Sequence, residues 1–183
     1  MRFFVLLSLV LFTAQIDNIN YIKEQFKQWQ PILHDSTSKS LTYYHVIWGK
    51  NYENEKWIEN IEDSSVFVDQ GLDFFKNTKL GYVIKRQETS PSGDWFINSE
   101  HYFYPNGNLY FIFWSMNTFY SEFPLTVERR LYFDREVTLI KKLESVYEMN
   151  TKNNVENINY YDKDVNYWKN VKQIKFLKSE FTF

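Results

Sequence analysis

The sequence predicts an α+β domain: an antiparallel β-meander of about 6–8 strands packed by an N-terminal amphipathic helix, with a possible C-terminal helix. Three observations carry this. Only one stretch, at the start, has a clear helical period, and a run of strand-like segments follows it without intervening helices. Aromatic residues make up 20% of the chain, as 17 Phe, 14 Tyr and 6 Trp, and such residues favour pleated sheet. Finally, "HYFYPNGNLYFIFW" at 101–114 sets Asn106-Gly107, a strong short hairpin signal, between two aromatic segments.

The elements follow in order. Met1-Arg2 and the apolar run Phe3 to Phe12, broken only by Ser8, have the layout of a secretory signal peptide. The expected division is 1–15 signal peptide and 16–183 a single α+β domain, with a cut after Ala14 hampered by bulky Phe12. The run is short for a membrane span, which takes roughly 20 residues. Ile19, Ile22, Phe26, Trp29 and Leu33 recur at three- and four-residue steps. They predict a helix over 18–30, with Asp17 or Asn18 as N-cap and Pro31 near its end. Residues 41–48, "LTYYHVIW", read as a strand closed by Gly49. Residues 50–64 are charged and read as a loop or a short helix. Two short strands flank Gly71, a clearer one covers 80–88, and "TSPSGD" at 89–94 is a turn. From Asn150 the chain is polar. Residues 162–178 form a helix with Val165, Trp168, Val171 and Ile174 on one stripe, or a strand at "QIKFL".

Taking Asn106-Gly107 as a two-residue type I′ turn fixes a register. Tyr104 then opposes Leu109, Tyr102 opposes Phe111 and Glu100 opposes Phe113. On the other face Phe103 opposes Tyr110, His101 opposes Ile112 and Ser99 opposes Trp114. Both faces are largely apolar, so the hairpin is either covered on both sides or exposes one aromatic surface. A weaker copy follows thirty residues on, with Tyr132-Phe133 and Leu139 matching Tyr102-Phe103 and Leu109. In the copied register Arg129 opposes Glu144 and Phe133 opposes Ile140.

"YFYPNGNLYFIF", then "VERRLYFD" and "LIKKL", resembles an uncharacterised group of exported β-rich proteins of Gram-negative bacteria. Its motifs are Y-x-x-x-x-G-x-L-x-F-x-F and E-x-R-x-Y-F. Tyr102, Gly107, Leu109, Phe111 and Phe113 match the first; Glu128, Arg130, Tyr132 and Phe133 match the second. The first motif also resembles hairpin repeats of bacterial surface and toxin-neutralising proteins. The resemblance covers residues 82–145 and implies an exported β-rich domain without implying an activity.

The chemistry is bounded by what is missing. The chain has no cysteine, which excludes thiol catalysis and disulfides, and its net charge of −2 gives no basic footprint for nucleic acid. His34, His45 and His101 lie in different elements and show no metal-ligand spacing, so no metal or other cofactor is expected. No nucleophile elbow, P-loop or dinucleotide fingerprint is present. Glu100 and Glu128 are the best carboxylate pair for a glycan-active hydrolase. Glu128, Arg130 and Tyr132 project from one strand face and form a candidate site for a polar or acidic ligand. Trp95, Tyr102, Tyr104 and Trp114 are candidate ring platforms for sugar or peptide. The expectation is an exported, non-enzymatic binding or structural module of the cell envelope, periplasmic or extracellular. Its partner would be an envelope protein or glycan, with no nucleic acid and no transmembrane segment in the mature form. The alternatives are a toxin-neutralising inhibitor and the hydrolase.

Overall fold

The computed structural model describes residues 2–35, 38, 40–62 and 65–177, with side chains in the first helix described from Asn18 onward. Helix α1 (Arg2–His34) is followed by β1 (Ser40–Trp48), β2 (Asn54–Ile58), β3 (Phe67–Asn77), β4 (Gly81–Thr89), β5 (Trp95–Phe103), β6 (Leu109–Thr118), β7 (Leu125–Phe133) and β8 (Leu139–Glu148). The strands form one eight-stranded antiparallel sheet in the order β2-β1-β3-β4-β5-β6-β7-β8. The fold class read from the sequence is therefore the one observed. Among the described residues, no helix is long and apolar enough to cross a membrane.

The aromatic hairpin occupies the interior of the sheet and is covered on both sides. On one side Ile22, Trp29 and Leu33 of α1 pack on Phe75, Val83, Tyr102, Phe111 and Tyr132. On the other, Phe103, Leu109, Ile112, Trp114 and Phe133 pack against Val165, Trp168, Val171 and Ile174 of the C-terminal tail. Alternation along each strand sends neighbours to opposite sides, so two apolar faces need two covers.

The tip of the hairpin differs from the expected two-residue turn. Gly107 N–H donates to the Tyr104 carbonyl at 2.8 Å, and Tyr104 N–H donates to the Asn108 carbonyl at 2.8 Å. Gly107 has φ +87°, whereas Asn106 has no positive φ. This is a three-residue loop of type I turn plus glycine bulge, and Pro105 suits its first central position. Phe103 therefore opposes Leu109, and neither Tyr104–Leu109 nor Phe103–Tyr110 is a pair. A bulge at Tyr110 then restores the expected pairing from Tyr102–Phe111 down to Trp95–Thr118. It also turns Tyr110 toward α1.

The copy thirty residues on repeats both features. Val137 N–H donates to the Asp134 carbonyl at 3.1 Å, and Asp134 N–H to the Thr138 carbonyl at 3.0 Å. Arg129 opposes Glu144 as expected, but Phe133 opposes Leu139, because Ile140 is bulged as Tyr110 is. Val137 takes the glycine's place at φ +62°, held by Asp134 Oδ1, which accepts from Glu136 N–H and Thr138 N–H at 3.0 and 2.7 Å.

Four other expectations are corrected. Helix α1 extends beyond 18–30 in both directions, to Arg2 and His34. Residues 54–58 are a strand rather than loop or helix: β2 is a charged edge with only Trp57 and Ile58 half-buried. Residues 67–77 are one strand running through Gly71. The possible C-terminal helix is absent from the described part of 162–178, where only Val171–Gln173 makes a 3-10 turn and residue 178 lies outside the description. Aromatic, β-branched and Asn residues make this segment a poor helix former. Its carbonyls are also committed elsewhere, Lys163 to Arg129, Asn166 to Arg86 and Lys169 to Leu109 N–H. The stripe residues do face the core, at a period of three that extended and 3-10 backbone supports.

Candidate functional site

The sheet register sorts the helix-side face into rows. Phe75, Val83, Tyr102, Phe111 and Tyr132 form the first row, beneath α1. The second row runs Thr42, Asp73, Lys85, Glu100, Phe113 and Arg130. The third runs Tyr44, Gly71, Gln87, Asn98, Ser115 and Glu128. The face thus grades from apolar under the helix to polar away from it.

A groove of about 540 Å³ lies between α1 and the second row. Ile22 and Phe26 of α1 and Phe111, Phe113 and Tyr132 of the sheet give it an apolar lining. Its rim is polar: Lys23, Lys27, Gln30 and His34 come from the polar flank of α1, and Glu100 and Arg130 from the sheet. Residues four apart on a helix share a face, which is why Lys23 and Lys27 stand together beside Phe26.

Two ion-pair systems flank the groove. Glu100 accepts from the Tyr102 hydroxyl at 2.5 Å, and its other oxygen lies 3.8 Å from Lys85 Nζ. Gln30 Nε2 donates to the Tyr102 oxygen at 3.2 Å, tying α1 to this pair. Burial, and then the Glu100 charge, raise the Tyr102 pKa, so Tyr102 remains a neutral phenol and donates. On the opposite flank Arg130 sits over the Phe113 ring, 5.8 Å from its centre, and its Nη2 lies 3.3 Å from Glu128 Oε2. Glu128 also accepts from the Tyr147 hydroxyl, which burial and then that hydrogen bond push up to about 12. The Arg130 side chain is 46% exposed, and its positive charge faces the groove mouth. Lys27 pairs with Glu24 at 2.7 Å in solvent, where such a pair contributes little.

Of the residues singled out from the sequence, the structure gathers Arg130 and Tyr132 at this groove. Glu128 lies one row away on the same face, as the two-residue spacing required. Tyr102 is buried beside the groove under α1, and its ring meets Phe26 edge-on at 5.3 Å. Tyr104 lies past the end of the groove between Tyr21 and Tyr110, where burial raises its phenol to about 12. Trp114 and Trp95 belong to the opposite face and are closed off by cations. Arg129 stacks 4.8 Å from the Trp114 ring centre, and Lys163 Nζ lies 3.6 Å above Trp95. Glu100 and Glu128 share a face, but Glu100 is engaged toward β4 and Glu128 toward β8, with Phe113 and Arg130 between them. The helix side of the groove, Lys23, Phe26, Lys27, Gln30 and His34, comes from residues that the sequence does not single out as a site.

The tail-side face holds buried polar groups of its own. His101 is fully buried, and its Nε2 lies 3.0 Å from Ser99 Oγ. Burial, and then the Arg86 charge, depress this imidazole to about 3. Among the described residues its Nδ1 has no partner, so no described acid orients this imidazole as a catalytic base would require. Arg86 itself is pulled down by burial and held by Gln70 at 2.8 Å and by Glu88 at 3.2 Å. Among the described residues, no group of three or more His, Asp or Glu is placed to hold a metal ion. A larger hollow of about 650 Å³ lies near β2, walled by Trp48, Trp57 and Phe176. Comparison with protein-family models, curated proteins and solved structures found no significant match to this chain.

Proposed function

We propose that the protein is an exported, non-enzymatic binding module of the cell envelope, and that it holds a small amphiphile with an anionic end between α1 and the sheet. Export rests on the Met1-Arg2 start and the apolar run to Phe12. The groove carries the rest: an apolar lining of Phe26, Phe111 and Phe113 beneath a rim with Lys23, Lys27 and Arg130. Concave, mostly apolar sites with a few placed polar groups are where small ligands bind. The lining holds three cations, Lys23, Lys27 and Arg130, against one carboxylate, Glu100, which is engaged by Tyr102 and Lys85; Lys27 and Arg130 also have carboxylate neighbours outside the lining, Glu24 and Glu128. An alkyl chain on the phenylalanines would place a carboxylate or phosphate beside Arg130.

Titration with alkyl carboxylates of increasing chain length tests this. Affinity is expected to rise with chain length and to fall about tenfold in Arg130→Ala, the loss of one charge-assisted contact of about 1.5 kcal/mol. Phe113→Glu should abolish it, because a carboxylate then occupies the apolar lining. No binding by the wild-type protein, or equal binding by Arg130→Ala, rejects the reading.

One observation favours a second reading, the neutralisation of a toxin by surface contact. Phe119 and Tyr120 are each 55% exposed and Tyr161 is 44% exposed, with the Tyr120 and Tyr161 rings 5.8 Å apart. Exposed aromatic clusters are frequent protein-binding hot spots. A toxin suppressed by the wild-type protein and not by Tyr120→Ala would establish it.

A further inference from the structure

The helix-side face has a feature that the groove does not use. Beyond Glu100 no described element covers the sheet, and Tyr44, Gly71, Gln87 and Asn98 lie side by side on β1, β3, β4 and β5. They border two adjoining hollows of about 320 and 140 Å³, which share Tyr44, Gly71 and Gln87. Among the described residues, the Tyr44 hydroxyl and the Gln87 and Asn98 amides have no side-chain hydrogen-bond partner. The adjacent carboxylates are engaged instead, Asp73 by Thr42 at 2.7 Å and Glu100 by Tyr102. Lys85, the cation of this face that lines the larger hollow, is held by Glu100 at 3.8 Å and by the Leu33 carbonyl at 3.4 Å. The free groups are thus neutral, and each amide both donates and accepts. Such a row suits a ligand bearing hydroxyls rather than an ion.

Gly71 supplies an independent observation. A Cβ built there meets nothing within 4 Å, and its φ lies outside the left-handed region. Neither packing nor backbone conformation requires glycine, although glycine weakens a strand interior relative to alanine. Strand glycines mark bulges as well as places where a ligand or another chain approaches closely, and the bulge of β3 lies at Asp69, two residues from Gly71. Here the missing side chain opens the floor between Tyr44 and Gln87. Tyr44 and Phe96, which border the smaller hollow, offer ring faces on which the apolar face of a sugar can stack.

We propose that this trough is a binding site for an uncharged carbohydrate. Gln87 and Asn98 hydrogen-bond its hydroxyls, Tyr44 stacks on a ring, and Gly71 provides the clearance. The site uses residues other than those of the amphiphile groove, apart from the Glu100 wall they share.

The test is calorimetric titration with soluble neutral oligosaccharides, namely gluco-, manno-, galacto- and N-acetylglucosamine oligomers. At least one is expected to bind, with an affinity that does not change between low and high salt. Gln87→Ala and Asn98→Ala are each expected to weaken it tenfold or more. Gly71→Val should abolish binding while raising Tm, since valine suits a strand and finds open space. Stability and binding then move in opposite directions, which a merely structural role of Gly71 does not produce. The proposal is overturned if none of the panel binds at millimolar concentration, if binding fades with salt, or if it survives both Gly71→Val and Gln87→Ala.

Discussion

Gly81 shows how much a single atom decides in this sheet. With φ +104° it closes the β3–β4 hairpin, and a Cβ there would lie 2.1 Å from the Phe103 carbonyl oxygen. That neighbour is backbone in the core and cannot yield. Gly81→Ala should therefore cost about 3 kcal/mol or more, read as a shift in denaturation midpoint at unchanged m-value. His101 makes a second residue-scale prediction. An unfolded imidazole titrates near 6.5, whereas the folded one is held near 3. Between these values the unfolded chain binds a proton that the native state refuses. This contribution to stability is fully present above pH 6.5 and is lost as pH falls toward 3, by up to ~1.4 kcal/mol per pH unit. Stability measured from pH 7 to 4 should fall less steeply in His101→Leu than in wild type; parallel curves would show that His101 titrates normally. At this scale the sequence disclosed Glu128, Arg130 and Tyr132 as one face, because strand alternation is strict. It did not disclose that His101 is buried, since alternation could not say which face was covered, or that both were.

At the scale of elements, the hairpins were legible in their bodies and not at their tips. The loop is one residue longer than a type I′ turn, and the bulge at Tyr110 offsets it, so pairs below Tyr102 come out as expected. Sequence pattern sees the net register and not the two compensating steps. The charged edge β2 and the tail were illegible for a different reason. An edge strand protected by charge looks like loop, and the tail's apolar period of three, which extended and 3-10 backbone supports, reads in the sequence as a helical stripe. The tail is clamped by Arg129, which is 4% exposed and donates to Glu144 and Asp162 at 2.6 Å and to the Lys163 carbonyl at 2.9 Å. Burial alone would lower the Arg129 pKa, but these partners outweigh it and the net shift is upward. Glu144 is lowered, with its bonds to Arg129 and Lys142 overcoming burial. Arg129→Ala breaks this cluster and should cost about 3 kcal/mol. Amide exchange should then accelerate first in the tail-held bonds Leu109 N–H and Val171 N–H. Uniform acceleration across the sheet would instead mean that the clamp is not local.

At the scale of the molecule, a sheet that is apolar on both sides of its centre acquires two unlike covers. The tail seals one face with aromatic and aliphatic side chains and closes over Trp114 and Trp95. Among the described residues, helix α1 covers the first row of the other face and meets the second at Phe113 and Lys85, and hollows lie over the second and third rows beside it. The fold class was legible because one amphipathic helix and many aromatic strands admit few layer arrangements. The site was legible only from the sheet side, since Lys23, Lys27 and His34 acquire meaning once α1 is docked. On the proposed function the ligand lies on the helix-covered face. Mapping amide chemical shifts while titrating an alkyl carboxylate tests it most directly. The expected result is perturbation confined to residues 22–34 and to Phe111, Phe113, Arg130 and Tyr132. Perturbation centred on Trp114, Trp95 and Trp168, or none at all, would contradict it.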